Sequence, residues 1–375
     1  MKHLFLAVAL FISISIPLSA QSDKKTFTNE NPHQVLTLKE NSYFETNAKN
    51  IILFIGDGMG VDQVFSALTA NRGALNMTQM PFTGFSQTQS ADSYITDSAA
   101  GGTALSTGQR TYNGAIGMNT DTLAIPTILE ISKAQGYATG LVSSSSITHA
   151  TPASFIAHQP SRGLQEEIAA DFIGSGIDIF IGGGRKFFTN RKDERNLVEE
   201  LRHDNYLIFN SLDEATNVNF GRIAILTAEK HNEVYPKRGE MLPDATEKAI
   251  DVLKNNENGF FLMVEGSMID WGGHDNNTTY IVEETLDFDR AIGKALEFAS
   301  SNKETLVVIT ADHETGGMTI TGGDIEKGEV TGKYTTKGHT AVMVPVFAYG
   351  AGAEKFTGVY KNTEVFNKIK EAFGF

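Results

Sequence analysis

The chain has no cysteine. That excludes disulfides, thiolate metal ligands, a thiol nucleophile and a lipid attached through cysteine beside the N-terminus. The absence is tolerable, because 375 residues, 41% of them hydrophobic, can build a core without cross-links. Basic residues are in the minority, 31 against 45 acidic, giving a net charge of −14, and no block of five like charges occurs. Nucleic acid and an anionic membrane face are therefore poor partners for the molecule as a whole. An acidic protein that handles an anionic substrate needs local positive charge, and bound metal ions can supply it. Prolines number nine, and no Pro- or Ser-rich linker or internal repeat divides the chain, which favours one large α/β domain. Beyond residue 20 no apolar run is long enough to span a bilayer.

Residues 1–20 read as an export signal. Lys2 and His3 open it, Leu4 to Ile16 form an apolar run without acids or bases, and Pro17-Leu18-Ser19-Ala20 offers a cleavage site after Ala20. That run is too short for a comfortable membrane span, so the mature protein is expected in the periplasm or secreted. Residues 21–49, polar and aperiodic, read as an extended N-terminal arm, and residues 50–375 as a single folded domain. Buried-strand patterns fall at Asn50–Ile55, Tyr137–Ser143, Ile177–Ile181, Ile223–Leu226, Phe260–Val264, Leu306–Ile309 and Val344–Tyr349. Helical patterns fall at Val61–Ala70, Ile125–Gln135, Thr278–Ala299 and Thr363–Ala372. Alternation at this spacing predicts crossover units, hence a mainly parallel central sheet with helices on both faces.

The segment Thr96-Asp97-Ser98-Ala99-Ala100-Gly101-Gly102-Thr103-Ala104 sets one serine among small residues at the start of a stretch that can turn helical. An oxygen there lies in the field of unpaired backbone N–H groups, which suits an anionic phosphoryl group, although Asp-Ser also serves as a plain N-cap. The serine keeps suggestive company at the strand ends. Asp57 follows the first strand, Glu265 follows Phe260–Val264, and Asp312-His313 follow Leu306–Ile309. In open parallel sheets ligands bind beyond the carboxyl ends of the strands, so these distant residues should converge. Asp270 and His274, four apart, share one face of a helical turn, and His339 stands beside Gly338. Three acids and three histidines without cysteine suit two divalent ions such as Zn²⁺. Glu265, Thr151 and a shared Asp57 form an oxygen-rich set better suited to Mg²⁺. The glycines of Gly56-Asp57-Gly58-Met59-Gly60 fall at alternate positions, without the spacing of a dinucleotide-binding turn.

At this point the chain resembles the alkaline phosphatase family. The matching blocks run in family order: Ile55-Gly56-Asp57-Gly58-Met59-Gly60, Thr96 to Ala100 on through Thr111 to Gly117, and His149-Ala150-Thr151-Pro152-Ala153. They continue with Gly182-Gly183-Gly184-Arg185, Val264-Glu265-Gly266, Asp270 with His274, Thr310-Ala311-Asp312-His313 and Gly338-His339-Thr340. The resemblance implies an alkaline phosphatase-like α/β fold and hydrolysis of small phosphate monoesters through a phosphoserine on Ser98. It implies that Arg162 clamps two nonbridging phosphate oxygens. Asp270, His274 and His339 would hold one zinc, and Asp57, Asp312 and His313 the other. Asp57, Thr151 and Glu265, helped by His149, would hold a third ion, usually magnesium.

Some positions depart from the family pattern. His149 and Trp271 stand where some bacterial members carry Asp and Lys, so zinc could compete for the third site and product phosphate would be held less tightly. The Glu314–Gly338 interval is a short crown-type insertion, which implies an open cleft and leaves the family's homodimer unsettled. Two rival functions stay in view, a phosphodiesterase of the same superfamily and a non-enzymatic periplasmic carrier of metal or phosphate. A diesterase would lack the arginine clamp, and a carrier would need no nucleophile.

Overall fold

A computed structural model describes residues 25–375; the export segment and the first residues of the arm lie outside the described residues. After a short strand β1 (Thr26–Thr28), the chain enters a large sheet at β2 (Asn50–Gly56) and turns into helix α1 (Val61–Ala70). Strand β3 (Phe82–Gln87), helices α2 (Ser98–Thr107) and α3 (Ile128–Ala134), and strand β4 (Ala138–Ser146) follow. Short helices α4 (Ala150–Ala153) and α5 (Gln165–Ala170) lead to β5 (Ile179–Gly183). Helices α6 (Arg185–Thr189) and α7 (Leu197–His203) lead to β6 (Tyr206–Phe209) and β7 (Arg222–Leu226). Next come α8 (Met241–Leu253), β8 (Phe260–Gly266), α9 (Met268–His274), the long α10 (Thr278–Ser301) and β9 (Thr305–Thr310). Two-residue strands β10 (Glu314–Thr315) and β13 (His339–Thr340) flank a hairpin of β11 (Met318–Asp324) and β12 (Glu329–Tyr334). Strands β14 (Val344–Gly350) and β15 (Gly358–Lys361) and helix α11 (Thr363–Phe373) close the chain.

The ten-stranded sheet has the order β15-β3-β14-β9-β2-β8-β4-β5-β7-β6. Only β14 runs against the rest, antiparallel to both β3 and β9. Buried on both faces, the central strands read as continuous apolar runs, and their pleat sends alternate side chains to opposite layers. Ile52, Phe54, Leu262, Val264, Val307 and Ile309 face the layer of α1, α8 and α10. Ile51, Leu53, Ile55, Met263, Leu306 and Val308 face the layer of α2, α3 and α11. Each such side chain contributes about 1.5–3 kcal/mol by leaving water.

The mainly parallel sheet between helices is the expected architecture, and its differences from the sequence reading have physical causes. Strand β4 continues three residues beyond Ser143, because the polar run Ser143–Ser146 is wholly buried. Strand β3 escaped notice because Gly84 interrupts a short amphipathic stretch; a Cβ there would lie 2.4 Å from the Phe356 carbonyl oxygen. Helix α8 carries Pro243 in its first turn, where no backbone N–H is missed, yet the proline masks the pattern. The described part of the arm folds back on the body. β1 pairs with β12 of the crown-type hairpin, His33 Nε2 lies 2.7 Å from Asp289 Oδ2, and Leu36, Leu38 and Phe44 pack against the core. Among the described residues no helix is long and apolar enough to cross a membrane.

Candidate active site

Four neighbouring parallel strands, β9, β2, β8 and β4, present their carboxyl ends together. Asp57 is the first residue after β2, Glu265 lies at the end of β8, and Asp312 and His313 occupy the turn after β9. The turn after β2 passes very close to α9. Gly58 has φ +75°, and a Cβ on it would lie 2.6 Å from the Asp270 Cα, so this position admits only glycine. On α9, Asp270 and His274 share a face as expected, with His274 Nε2 3.3 Å from Asp270 Oδ2. β13 pairs with β10 and brings His339 Nε2 to 3.5 Å from Asp270 Oδ1.

Ser98 is the first residue of α2, and Asp97 caps the helix by accepting the Ala100 N–H at 3.0 Å. The Ser98 hydroxyl is buried, with Oγ 3.2 Å from His313 Nε2 and 3.5 Å from Asp57 Oδ1. Arg162 completes the arrangement. Its backbone N–H donates to the Gly114 carbonyl, and its Nη1 reaches Asp97 Oδ2 at 3.1 Å and Ser98 Oγ at 3.5 Å. Nη2 of the same guanidinium lies 3.4 Å from His149 Nε2. Asp97 therefore does two jobs, helix cap and arginine partner; sequence reasoning saw only the first.

Among the described residues three groups of potential ligands emerge, each with its ligand atoms within 4.8 Å of one another: Asp270, His274 and His339; Asp57, Asp270 and His313; and Asp57, His149 and Glu265. Asp312 belongs beside the second group, its Oδ2 3.3 Å from His313 Nε2. The structure thus brings together the predicted set around Asp57, Asp312 and His313, and adds Asp270 on its border. Thr151, at the start of α4, is joined to the others by no hydrogen bond; its hydroxyl is buried without a partner.

The electrostatics show what the cluster lacks. Burial, then the charges of Asp312, Asp270 and Glu265, push the Asp57 carboxyl well above its ordinary range. Asp312 is raised by burial and by Asp270. Asp270 is held low despite its burial, by His274 and by the charges of His313 and His339. Glu265 is likewise held low against burial, by His149, Ser143 and Ser267. Asp270 in turn raises His274 to about 9. Of the buried polar atoms without a hydrogen-bond partner, five lie here: Asp57 Oδ2, Asp312 Oδ2, His149 Nδ1, Thr151 Oγ1 and Glu265 Oε1. Orphaned acceptors crowded beside like charges fit cations, and nitrogen and carboxylate donors without sulfur fit Zn²⁺ or Mg²⁺.

Outer contacts fix the rings. His274 Nδ1 donates to the Lys337 carbonyl at 2.5 Å and His339 Nδ1 to that of Thr96 at 2.8 Å, which turns both Nε2 atoms toward Asp270. Thr315 Oγ1 donates to Asp270 Oδ1 at 2.5 Å. Trp271, half-buried, stands edge-on to His231 at 4.9 Å and to His149 at 6.3 Å. His231 and the serines around Glu265 were missed in the sequence; the run Ser143–Ser146 at a strand end was the available signal.

A family model described as alkaline phosphatase matches residues 48–333. The chain belongs to the alkaline phosphatase family. Alkaline phosphatase 4 of Bacillus subtilis is 35% identical, over 86% of this chain and 88% of its own length. The Escherichia coli alkaline phosphatase is 32% identical, over 87% of this chain and 86% of its own. Among solved structures, the alkaline phosphatase from the Antarctic bacterium TAB5 is 42% identical with a TM-score of 0.83, covering 88% of this chain and 99% of that one. A mutant of the same Antarctic enzyme in which a histidine is replaced by aspartate, 41% identical at the same TM-score and coverage, has Mg bound in the M3 site. The enzyme is thus a metal-dependent alkaline phosphatase that acts on small phosphate monoesters.

Proposed function

We propose that the enzyme transfers the phosphoryl group of a monoester to Ser98 and then to water. The observation that carries this reading is the Ser98 hydroxyl, buried at a helix N-terminus within 3.5 Å of Asp57, His313 and Arg162. Ser98 Oγ loses its proton and bonds to phosphorus as the ester P–O bond breaks, and the departing alcohol oxygen regains a proton. Water then attacks the phosphoserine and gives up a proton, the P–O bond to Ser98 breaks and Ser98 Oγ regains a proton, and inorganic phosphate leaves. Two in-line steps give overall retention at phosphorus.

Arg162 has the planar fork to bind two nonbridging phosphoryl oxygens, and Asp97 holds that fork against the Ser98 end of α2. A monoester offers more free oxygens than a diester, so this clamp favours phosphomonoesterase over phosphodiesterase activity. A buried serine beside the ligand cluster has no use in a carrier. Asp270, His274 and His339 would hold one zinc, and Asp57, Asp312 and His313 a second. Asp57, Thr151, Glu265 and His149 would hold the third ion, magnesium by the family resemblance, and the imidazole leaves room for zinc there; the Antarctic relative seen with Mg is a mutant that carries Asp in place of a histidine. When bound, such ions stabilise charge on the attacking and leaving oxygens of an in-line displacement. We further read residues 1–20 as an export signal cut near Ala20, residues 50–375 as one catalytic domain, and the setting as periplasmic or secreted.

Release of p-nitrophenol from the mono- and bis-p-nitrophenyl phosphates, with metal-loaded and chelated enzyme, tests the proposal. Strong monoester turnover, lost with chelator and restored by Zn²⁺ with Mg²⁺, is the expected result, and Ser98→Ala should form no phosphoserine. Preference for the diester, or a phosphoenzyme in Ser98→Ala, would overturn it.

A further inference from the structure

We propose that Ser143 and Ser267 are positioning residues that make Glu265 a one-oxygen ligand and so bias the third site toward a small octahedral ion; this rests on the third-site reading proposed above. Both hydroxyls converge on the same carboxylate oxygen, Ser143 Oγ at 2.6 Å and Ser267 Oγ at 2.5 Å from Glu265 Oε2. An ionised carboxylate only accepts, so each hydroxyl must spend its single proton there. For Ser143 the direction is reinforced by the Ser145 backbone N–H, which donates to its oxygen at 3.1 Å. The turn that carries Ser267 is held in turn, because its backbone N–H donates to Ser144 Oγ at 2.9 Å.

Two donors saturate Oε2. Oε1, equally buried, has no hydrogen-bond partner and lies 3.7 Å from His149 Nδ1, itself unpartnered. The carboxylate thus has one oxygen committed to the protein and one left for a ligand. Calcium commonly takes carboxylates through both oxygens in roomy, flexible sites, whereas Mg²⁺ demands near-ideal octahedral geometry at about 2.0–2.1 Å. Locking Oε2 excludes the bidentate mode. It also gives a use to two of the fully buried serines in an interior strand, Ser143 on the carboxylate and Ser144 under the Ser267 turn, where aliphatic residues would serve packing better.

The test is calorimetric titration of Mg²⁺ and of Ca²⁺ into enzyme holding two equivalents of zinc. Wild type is compared with Ser143→Ala, Ser267→Ala, the double variant and Ser143→Thr, and melting in excess chelator reports on folding. The alanine variants should bind Mg²⁺ about 10–100-fold more weakly, the loss usual for an outer partner of a ligand. Their Ca²⁺ affinity should fall less or rise, and Ser143→Thr, which keeps the hydroxyl, should restore the wild-type preference. Unchanged Mg²⁺ affinity, or equal losses for both ions with a lowered melting point in chelator, would overturn the proposal. If the double variant does not fold, Ser267→Ala alone carries the comparison. Wild-type enzyme that binds no third cation would instead overturn the third-site reading, and this inference with it.

Discussion

Arg238→Met is expected to destabilise the enzyme strongly at alkaline pH and less in acid. Arg238 Nη1 donates to Glu284 Oε1 at 2.8 Å, and Nη2 reaches Glu284 Oε2 at 2.6 Å and Asp287 Oδ2 at 2.5 Å. The three side chains are 2%, 1% and 0% exposed. Burial already pushes both carboxyls upward, and Arg238 is the first group that opposes it. Removing one partner of a buried ion pair costs about 3–5 kcal/mol, because the remaining charge is left without compensation. Arg290 still donates to Asp287 Oδ1 at 2.8 Å, so Glu284 bears most of the loss. A carboxyl whose folded pKa is raised binds more protons folded than unfolded, so its stabilising share is complete below the unfolded pKa and is lost as pH rises through the folded one. The variant raises Glu284 further, and its deficit should be small near about pH 5 and full near about pH 9. At about 2 °C per kcal/mol, the alkaline deficit corresponds to a fall of about 6–10 °C in Tm. Scanning calorimetry of both proteins at the two pH values reads this directly. A shift below about 2 °C at both, or one that grows in acid, would refute the reasoning. The effect should also reach the active site, since the segment between β7 and α8 carries His231 against Trp271.

Three other perturbations probe separate features. Arg162→Ala should lower monoester kcat/KM by about 100-fold or more, the worth of two charged hydrogen bonds, and diester turnover by much less; equal losses on the two substrates would contradict the clamp. Trp271→Lys, which sets a cation beside His149, should lower the inhibition constant for inorganic phosphate, and unchanged or weaker inhibition would refute that role. The His158–Glu130 pair, 2.9 Å apart, should shape the pH dependence of stability. Glu130 raises His158 above 6.5, and this stabilisation is complete below 6.5 and is lost as pH rises through the folded value. Glu130 is held low despite burial, by His158, so its share persists in mild acid and is lost only as pH falls through the lowered value. His158→Gln should therefore remove less than about 1 kcal/mol near about pH 6 and nothing near about pH 9, as urea unfolding at each pH would show.

The sequence determined what depends on local pattern and on chemical type. Apolar runs such as Asn50–Ile55 and Leu306–Ile309 read as buried strands, which the fold bears out, and the helical period of Val61–Ala70 placed α1 where it stands. Because parallel strands deliver their carboxyl ends to one edge, Asp57, Glu265 and Asp312-His313 could be assigned to one place before any contact was known. Spacing was enough for Asp270 and His274, since four residues make one helical turn. Tertiary structure alone decided the rest. Asp97 meets Arg162 across 65 residues, and Ser143 meets Glu265 across 122. Neither pairing leaves a trace in spacing, because a hydrogen bond between distant segments constrains geometry and not sequence interval. The arm was legible as extended but not as docked, since its few apolar residues, Leu36, Leu38 and Phe44, gain meaning only from the surface they cover. The buried serines of β4 mislead a reading of polarity for the same reason: whether a hydroxyl belongs to water or to a carboxylate is settled by what the fold brings beside it.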